Sequence, residues 1–405
     1  MKKDYIWNTL GSIVFAISFP LLTIIVTRIQ GAENAGMFSI AFATAQMLMI
    51  IGNYAVRAYQ VSDIKDRYSF SEYQIQRYIS CLLMMIFSIG YSLWRGYQGK
   101  FFVLVVMLCF FKMIDALADV YESELQRKNF LYKAGISIFW RTLSSIIIFA
   151  AILVFTKDMM IATMSMCTIS IMFLILFAVI PIKKMERQKE KISIKSILEI
   201  FIQCFPLFLS LFLLGYINNS PKYALEGIMA YEYQTYFNAL YFPSQVIYMF
   251  TGFVFKPMLL QMAEYWNNGQ RENLVLLIKK VLSFIVLLTA VGMFLMYVLG
   301  IPILSFIFGI NLKDYRGQAV SMLIAGGLIA IVNFMYHILT VMRKQNILMV
   351  IYIIVYIISL ILPIRMVKIG GMWGACSSYI LLLGMLVVLL IIGFIKTKLN
   401  DISSK

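Results

Sequence analysis

Long apolar runs alternate with short polar stretches along the whole chain, and no run shows the strict alternation of a half-buried strand. About 20 predominantly apolar residues make one membrane crossing, and on that measure the pattern predicts twelve helices. These are Tyr5–Thr27, Ala35–Ala55, Tyr78–Leu93, Phe101–Ala118, Gly135–Phe155, Met159–Ile180, Ile197–Tyr216, Tyr233–Phe255, Val281–Leu299, Ala319–Val341, Leu348–Met366 and Met372–Ile395. The most polar interruption, Pro181–Lys195, lies near the midpoint, with six runs before it and six after. The expected organisation is a six-helix bundle over 1–180, a basic linker over 181–196 and a second six-helix bundle over 197–405.

Composition agrees with an all-α polytopic membrane protein. Hydrophobic residues make up 61% of the chain and charged residues 13%, against about 25% charged in a soluble domain, and the mean hydropathy is +0.86. A net charge of +16 raises nucleic acid as a partner, but the basic residues sit between apolar runs and follow membrane topology instead. With the N-terminus inside, 24 Lys and Arg fall on cytoplasmic segments and 9 on outer ones. The linker and both termini are therefore expected on the cytoplasmic face. Met1-Lys2-Lys3 leads into a run too long for a signal-peptide core, so the first helix is expected to be retained. The five cysteines (Cys81, Cys109, Cys167, Cys204, Cys376) lie inside apolar runs without CxxC spacing, which indicates neither a metal site nor a disulfide framework. No phosphate-binding G-x-x-x-x-G-K-[ST] loop occurs, so neither a nucleotide-driven pump nor a cofactor is implied.

Polar residues inside the runs carry the candidate chemistry. In the second run and just beyond it, Ser39, Gln46, Asn53, Arg57 and Gln60 recur at helical spacing and predict one polar face. In the eighth, Gln234, Asn238, Tyr241 and Gln245 do the same. Polar faces in lipid turn toward protein or water, and two at matching positions of two halves suggest a shared cavity, as in transporters built from repeats. Pro20, Pro206 and Pro243 are expected to bend their helices. Lys112 and Asp115 are spaced to pair along the fourth helix, and Arg141 enters the fifth. A structural ion pair between these two helices is expected, with Asp119, Glu122 and Glu124 solvated near the interface. His337 is expected to be a packed donor.

Three short stretches then resemble one family. Thr27-Arg28-Ile29-Gln30 followed by Gly31-Ala32-Glu33-Asn34-Ala35-Gly36-Met37-Phe38 is similar to an arginine and a G-A-x-x-x-G-x-[FY] entry to the second span. Asn219-Ser220-Pro221-Lys222-Tyr223 resembles a D-[RK]-[YF] segment, with Pro221 in place of the acid. Gly370-Gly371-Met372-Trp373-Gly374-Ala375 precedes the last span. Together with the 6+6 layout, these resemble the Wzx-type lipid-linked oligosaccharide flippases, whose superfamily also holds lipid II flippases and MATE multidrug antiporters.

The resemblance implies two six-helix bundles in a V, opening inward and outward by turns. It implies transfer of undecaprenyl-diphosphate-linked repeat units across a bacterial cytoplasmic membrane for O-antigen, capsule or exopolysaccharide synthesis, with the polymer-assembly machinery as a further partner. Arg28 and Arg57 match diphosphate-holding arginines of lipid II flippases. The third such arginine aligns with Asn238 in Asn238-Ala239-Leu240-Tyr241-Phe242-Pro243, which argues against lipid II itself. The candidate substrate-binding set is Arg28, Gln46, Asn53, Arg57, Lys222, Gln234, Asn238, Tyr241 and Gln245, and the intramembrane charges are Lys112, Asp115 and Arg141.

Two alternatives stay open. A cation-coupled multidrug antiporter would want cavity carboxylates, and the two stripes hold none. An O-antigen-type polymerase, an enzyme, would want a long outer loop, and the longest here is about Gly300–Gln318. The charge count makes a direct prediction: topology reporters fused after Lys100, Lys157 and Lys313 read outside, and those after Arg67, Lys189 and Lys344 read inside. Two or more reversed reporters would refute the twelve-span arrangement.

Overall fold

The computed structural model describes residues 2–63, 67–185, 192–255, 258–342 and 345–403. Part of the basic linker (186–191), Lys256, Arg343 and Lys344 lie outside the described residues. Fifteen α-helices follow one another among those described: α1 (Lys2–Asn53), α2 (Val56–Ser62), α3 (Phe70–Trp94), α4 (Gly99–Arg127), α5 (Leu131–Thr156), α6 (Met159–Leu174), α7 (Ile180–Lys183), α8 (Ile194–Glu226), α9 (Glu232–Phe255), α10 (Leu259–Asn267), α11 (Arg271–Leu295), α12 (Ile301–Phe308), α13 (Arg316–Val341), α14 (Gln345–Ser359) and α15 (Leu362–Ser403). Nine helical runs among the described residues are long and apolar enough to cross a membrane, and Asn346–Ser359 is a shorter apolar helix. The protein is thus an all-helical multi-pass membrane protein.

The predicted segments coincide with helices, but their ends differ for local reasons. The first two share α1 on either side of Gly31, whose φ of 84° and ψ of 174° need a residue without Cβ. The third helix begins eight residues before the predicted Tyr78. Ser69 accepts from the Glu72 amide while the Glu72 carboxylate accepts from the Ser69 amide, a capping box that starts α3 ahead of its apolar part. The eleventh segment runs across a break at Leu360–Ile361, where α14 ends and α15 begins.

Helices α1 and α9 continue through Pro20 and Pro243, and α8 through Pro206. Elsewhere the ladder loosens into one π turn at Ile175–Val179 before Pro181 and another at Met296–Gly300 before Pro302. A proline ring meets the carbonyl four residues back, and in each case that carbonyl lies in the widened turn.

Two compact units divide the chain, Met1–Phe212 and Leu213–Lys405. This division falls inside α8, the start of which packs on the N-terminal helices. Tyr54 stacks on Phe208 at 4.4 Å and meets Phe201 edge-on, and the Tyr59 hydroxyl donates to the Gln203 carbonyl at 2.9 Å. In the N-terminal unit the core gathers on Phe38, Phe42, Phe149 and Leu108, all buried. All five cysteines are buried and unbridged.

Helices α1 and α5 meet backbone to backbone. A Cβ at Gly135 would lie 2.5 Å from the Trp7 carbonyl carbon and 2.6 Å from the Asn8 nitrogen, so backbone meets backbone with no room for a methyl. Gly135→Ala should therefore destabilise by about 1–3 kcal/mol, read as a lowered midpoint of thermal unfolding in detergent. Gly384 on α15 has nothing within 4 Å of its notional Cβ; Gly384→Ala should leave the midpoint unchanged or raise it slightly.

Candidate functional site

On α4, Lys112, Asp115, Asp119, Glu122 and Gln126 recur at steps of three and four, which aligns them on one face. An unpaired charge at the centre of a bilayer costs about 2.5–3.5 kcal/mol on insertion scales, so each needs a partner. Three arginines from three other helices supply them. Asp115 accepts from Lys112 at 2.8 Å and from Arg141 of α5. Arg141 also donates to Glu122 at 3.1 Å, and the same carboxylate oxygen accepts from Ser137 at 2.8 Å. Asp119 is shared by Arg57 of α2 at 2.6 Å and Arg77 of α3 at 2.9 Å.

The Lys112 ammonium lies 5.0, 4.7 and 4.9 Å from the ring centres of Phe15, Phe42 and Phe111. The cation thus meets π faces where it does not meet Asp115. Glu124 holds Arg127 at 2.8 Å and accepts from Gln60 at 3.3 Å.

The expected Lys112–Asp115 pair is present and forms part of a larger network. Asp119, Glu122 and Glu124, expected to be solvated, are instead paired, and the last two are buried. The single polar face from Ser39 to Gln60 is also corrected. Tyr54 and Ala55 take left-handed φ values of 47° and 56°, which ends α1 at Asn53 and puts Arg57 and Gln60 on a separate helix. The break leaves the Gly52 carbonyl without an intrahelical donor. Arg77 at 3.0 Å and Ser80 at 2.7 Å supply one, and Arg77 also reaches the Asn53 side chain at 2.9 Å.

Arg77, fully buried, is the residue that sequence reasoning missed, since its position ahead of an apolar run reads as a loop cation. The signal that points to it is the spacing of acids along α4, which demands more cations than Lys112 and Arg141. Arg57 spends two donors on Asp119 and on Gln126 at 2.9 Å. Burial opposes its charge, the Asp119 and Glu122 carboxylates together outweigh that, and the guanidinium is held above its usual range.

The C-terminal unit gathers a different set. Lys222 of α8 is buried, with its ammonium 5.8 Å from the centre of the Tyr241 ring on α9. Gln234 donates to the Lys222 carbonyl at 2.6 Å, and Asn238 to the Gln234 carbonyl at 2.7 Å. The Tyr241 and Tyr379 hydroxyls meet at 3.3 Å, and Tyr379 reaches Asn218 at 3.5 Å.

The side-chain oxygens of Gln234 and Asn238 are buried and accept no hydrogen bond from the described residues. Such atoms gain from any donor brought to them. Lys222, Gln234, Asn238 and Tyr241 thus come together as one cluster. Gln245 is half-buried further along α9, Gln46 and Asn53 are half-buried on α1, and Arg28 is exposed near Gly31. His337 is half-buried beside Tyr336, their rings 5.3 Å apart.

Neither a protein-family model nor a curated protein sequence matches this chain. Solved structures do. A lipid II flippase, MurJ, in an inward closed conformation superposes with a TM-score of 0.66 at 15% identity, over 95% of this chain and 87% of that one. An inward-facing multidrug resistance transporter of the MATE family, in the MOP superfamily, gives 0.64 at 11% identity, over 95% and 94%. A MOP superfamily transporter from Pyrococcus furiosus, described by a reverse polarity of its binding pocket, gives 0.58 at 13% identity, over 98% and 94%. At such identities the likeness shows the fold, which is that of these transporters.

Because Asp115 serves two cations, its loss should cost more than the loss of either. Asp115→Leu leaves Lys112 buried without a carboxylate and should lose about 3–5 kcal/mol, the usual penalty for breaking a buried pair. Lys112→Met leaves Asp115 with Arg141 and should lose clearly less. The double variant Lys112→Met, Asp115→Leu should recover part of the loss. Thermal unfolding of the solubilised protein reads all three, and equal losses for the two single variants would refute the shared role.

Proposed function

We propose that this protein is a twelve-span flippase of the bacterial cytoplasmic membrane. Its two pseudo-symmetric six-helix halves carry polyprenyl-diphosphate-linked oligosaccharide units across by alternating access, for surface-polysaccharide synthesis. One observation carries the reading: among the described residues of the C-terminal unit, the one buried charged side chain is a cation, Lys222. On α4 of the N-terminal unit, each carboxylate is met by an arginine or lysine. A cationic drug or a coupling cation finds no uncommitted carboxylate on that helix. An anionic head group finds an ammonium, and its sugar hydroxyls find the two open amide oxygens of Gln234 and Asn238.

A diphosphate cannot enter hydrocarbon without compensation, and the buried ammonium beside the Tyr241 ring supplies charge with directed hydrogen bonds. Arg28, exposed on α1, is assigned as a second cation on the path. Arg57 joins it only by exchanging Asp119 and Gln126 for phosphate, and on this geometry its first duty is to α4. The structures of like fold include a lipid II flippase and a transporter described by reversed pocket polarity, so the fold admits both a lipid-linked substrate and a change of sign.

Deleting the gene should cause undecaprenyl-diphosphate-linked repeat units to accumulate on the inner face of the membrane. In the deletion strain, Lys222→Gln should restore less than about a tenth of wild-type export at unchanged membrane abundance, since a hydrogen bond to a charged group is worth about 1.5–3 kcal/mol. Lys222→Arg should restore an intermediate level. Full export by Lys222→Gln would remove the proposed anion contact, and export of cationic dyes without any lipid-linked product would favour the antiporter.

A further inference from the structure

Helix α9 has a second face that the Lys222 cluster leaves unused. One residue after Tyr241, Phe242 begins the wall of a cavity of about 440 Å³, within the roughly 300–1,000 Å³ of ligand-sized sites. Its walls come from α9, from α11 and the π turn that follows it, from α12 and from α13, and every lining residue is apolar. The rim is open: Val291 is 48% exposed and Leu295 52%, and both belong to a helical run of membrane-crossing length and hydropathy. The floor is kept deep at Gly292, where a Cβ would stand 3.3 Å from the Ile247 methyl.

Consecutive residues of a helix lie about 1.5 Å apart along its axis. Tyr241, which faces the buried ammonium, and Phe242, which faces the groove, are therefore at one level of α9. A cation and an all-apolar trough on two faces of one helix at one depth suit an amphiphile with an anionic head and a hydrocarbon chain. A cationic head would be repelled by the ammonium, and a solute without a hydrocarbon chain would leave the trough empty.

We propose that this groove seats the polyisoprenoid chain of the diphosphate-linked substrate whose head Lys222 takes. The inference rests on the flippase reading and adds where the tail lies during transfer. The groove holds the first isoprene units beside the head and leaves the rest of the chain to the bilayer. Filling it from the rim removes the tail contact without touching the buried core of the unit or the polar cluster.

The test is photo-crosslinking of the full chain in phosphatidylglycerol-containing nanodiscs with a diazirine-bearing undecaprenyl diphosphate. Crosslinks should map to α9 and α11 and be displaced by unlabelled undecaprenyl diphosphate but not by added phosphatidylglycerol. Val291→Trp and Leu295→Trp, both at exposed positions, should each lower the crosslink yield at least about tenfold (about 1.4 kcal/mol), with the unfolding midpoint unchanged.

Displaceable crosslinks confined to other helices, or yields that neither variant alters, would overturn the groove and leave the flippase reading standing. Crosslinks in the groove that phosphatidylglycerol displaces equally well would also overturn it, making the groove an ordinary lipid site. No crosslink displaced by undecaprenyl diphosphate anywhere on the protein would instead refute the flippase reading, and the groove assignment with it.

Discussion

The N-terminal unit is built around the cost of burying carboxylates. Asp115, Asp119 and Glu122 stand on one face of a membrane-length helix, where ionisation without a partner is prohibitive. Each therefore fixes the position of another element. Arg141 ties α5 to two of the acids, while Arg57 and Arg77 bring α2 and α3 to the third. Hydrophobic packing between helices is weakly directional in lipid. Charge pairing is not, and it accounts for how α2, α3 and α5 are set around α4.

The two units spend their polar groups differently. In the N-terminal unit every carboxylate on α4 is paired with a cation, and paired carboxylates hold their surroundings rigid. The Lys222 cluster is unsaturated, because the Gln234 and Asn238 oxygens are buried and open. Such a cluster is less favourable for folding and more receptive to a donor-rich ligand. This contrast separates α4, whose carboxylates hold the unit's helices together, from the α8–α9 cluster, whose two buried oxygens stay open, although both read alike as polar residues inside apolar runs.

Hydropathy made the helices legible, since a stretch such as Met159–Ile180 has no fate compatible with its length other than an apolar helix. The ends were less legible. Glu72, Gln76 and Arg77 are polar yet buried at the start of α3, so a window that scores apolar residues begins that helix late. The Lys112–Asp115 pair was legible because both partners sit on one helix at three-residue spacing. The claims of Arg57 and Arg77 on Asp119 join residues 62 and 42 positions apart, and no local pattern encodes that. Of the candidate binding residues, the four that cluster are contributed by α8 and α9, which are neighbours in sequence. The stripe from Ser39 to Gln60 failed because extrapolating a helical period assumes unbroken helix, and the backbone leaves the helical conformation at Tyr54.

That break is itself a balance of forces. A left-handed conformation costs a residue with a Cβ roughly 1–2 kcal/mol, and here Tyr54 and Ala55 both adopt it where glycine would do so freely. Glycine at 54 would forfeit the Tyr54 ring, which lies 13° from parallel with Phe208 and also meets Phe201, contacts that draw the start of α8 into this unit. The Gly52 carbonyl exposed by the break is claimed by Arg77 and Ser80, so that carbonyl is not left without a donor. With α1 ended at Asn53, the chain is free to turn and deliver Arg57 and Gln60 to α4, where an unbroken helix would carry them onward along its own axis. The strained pair at 54 and 55 is therefore tied to the pairing of Asp119, and the two features stand or fall together.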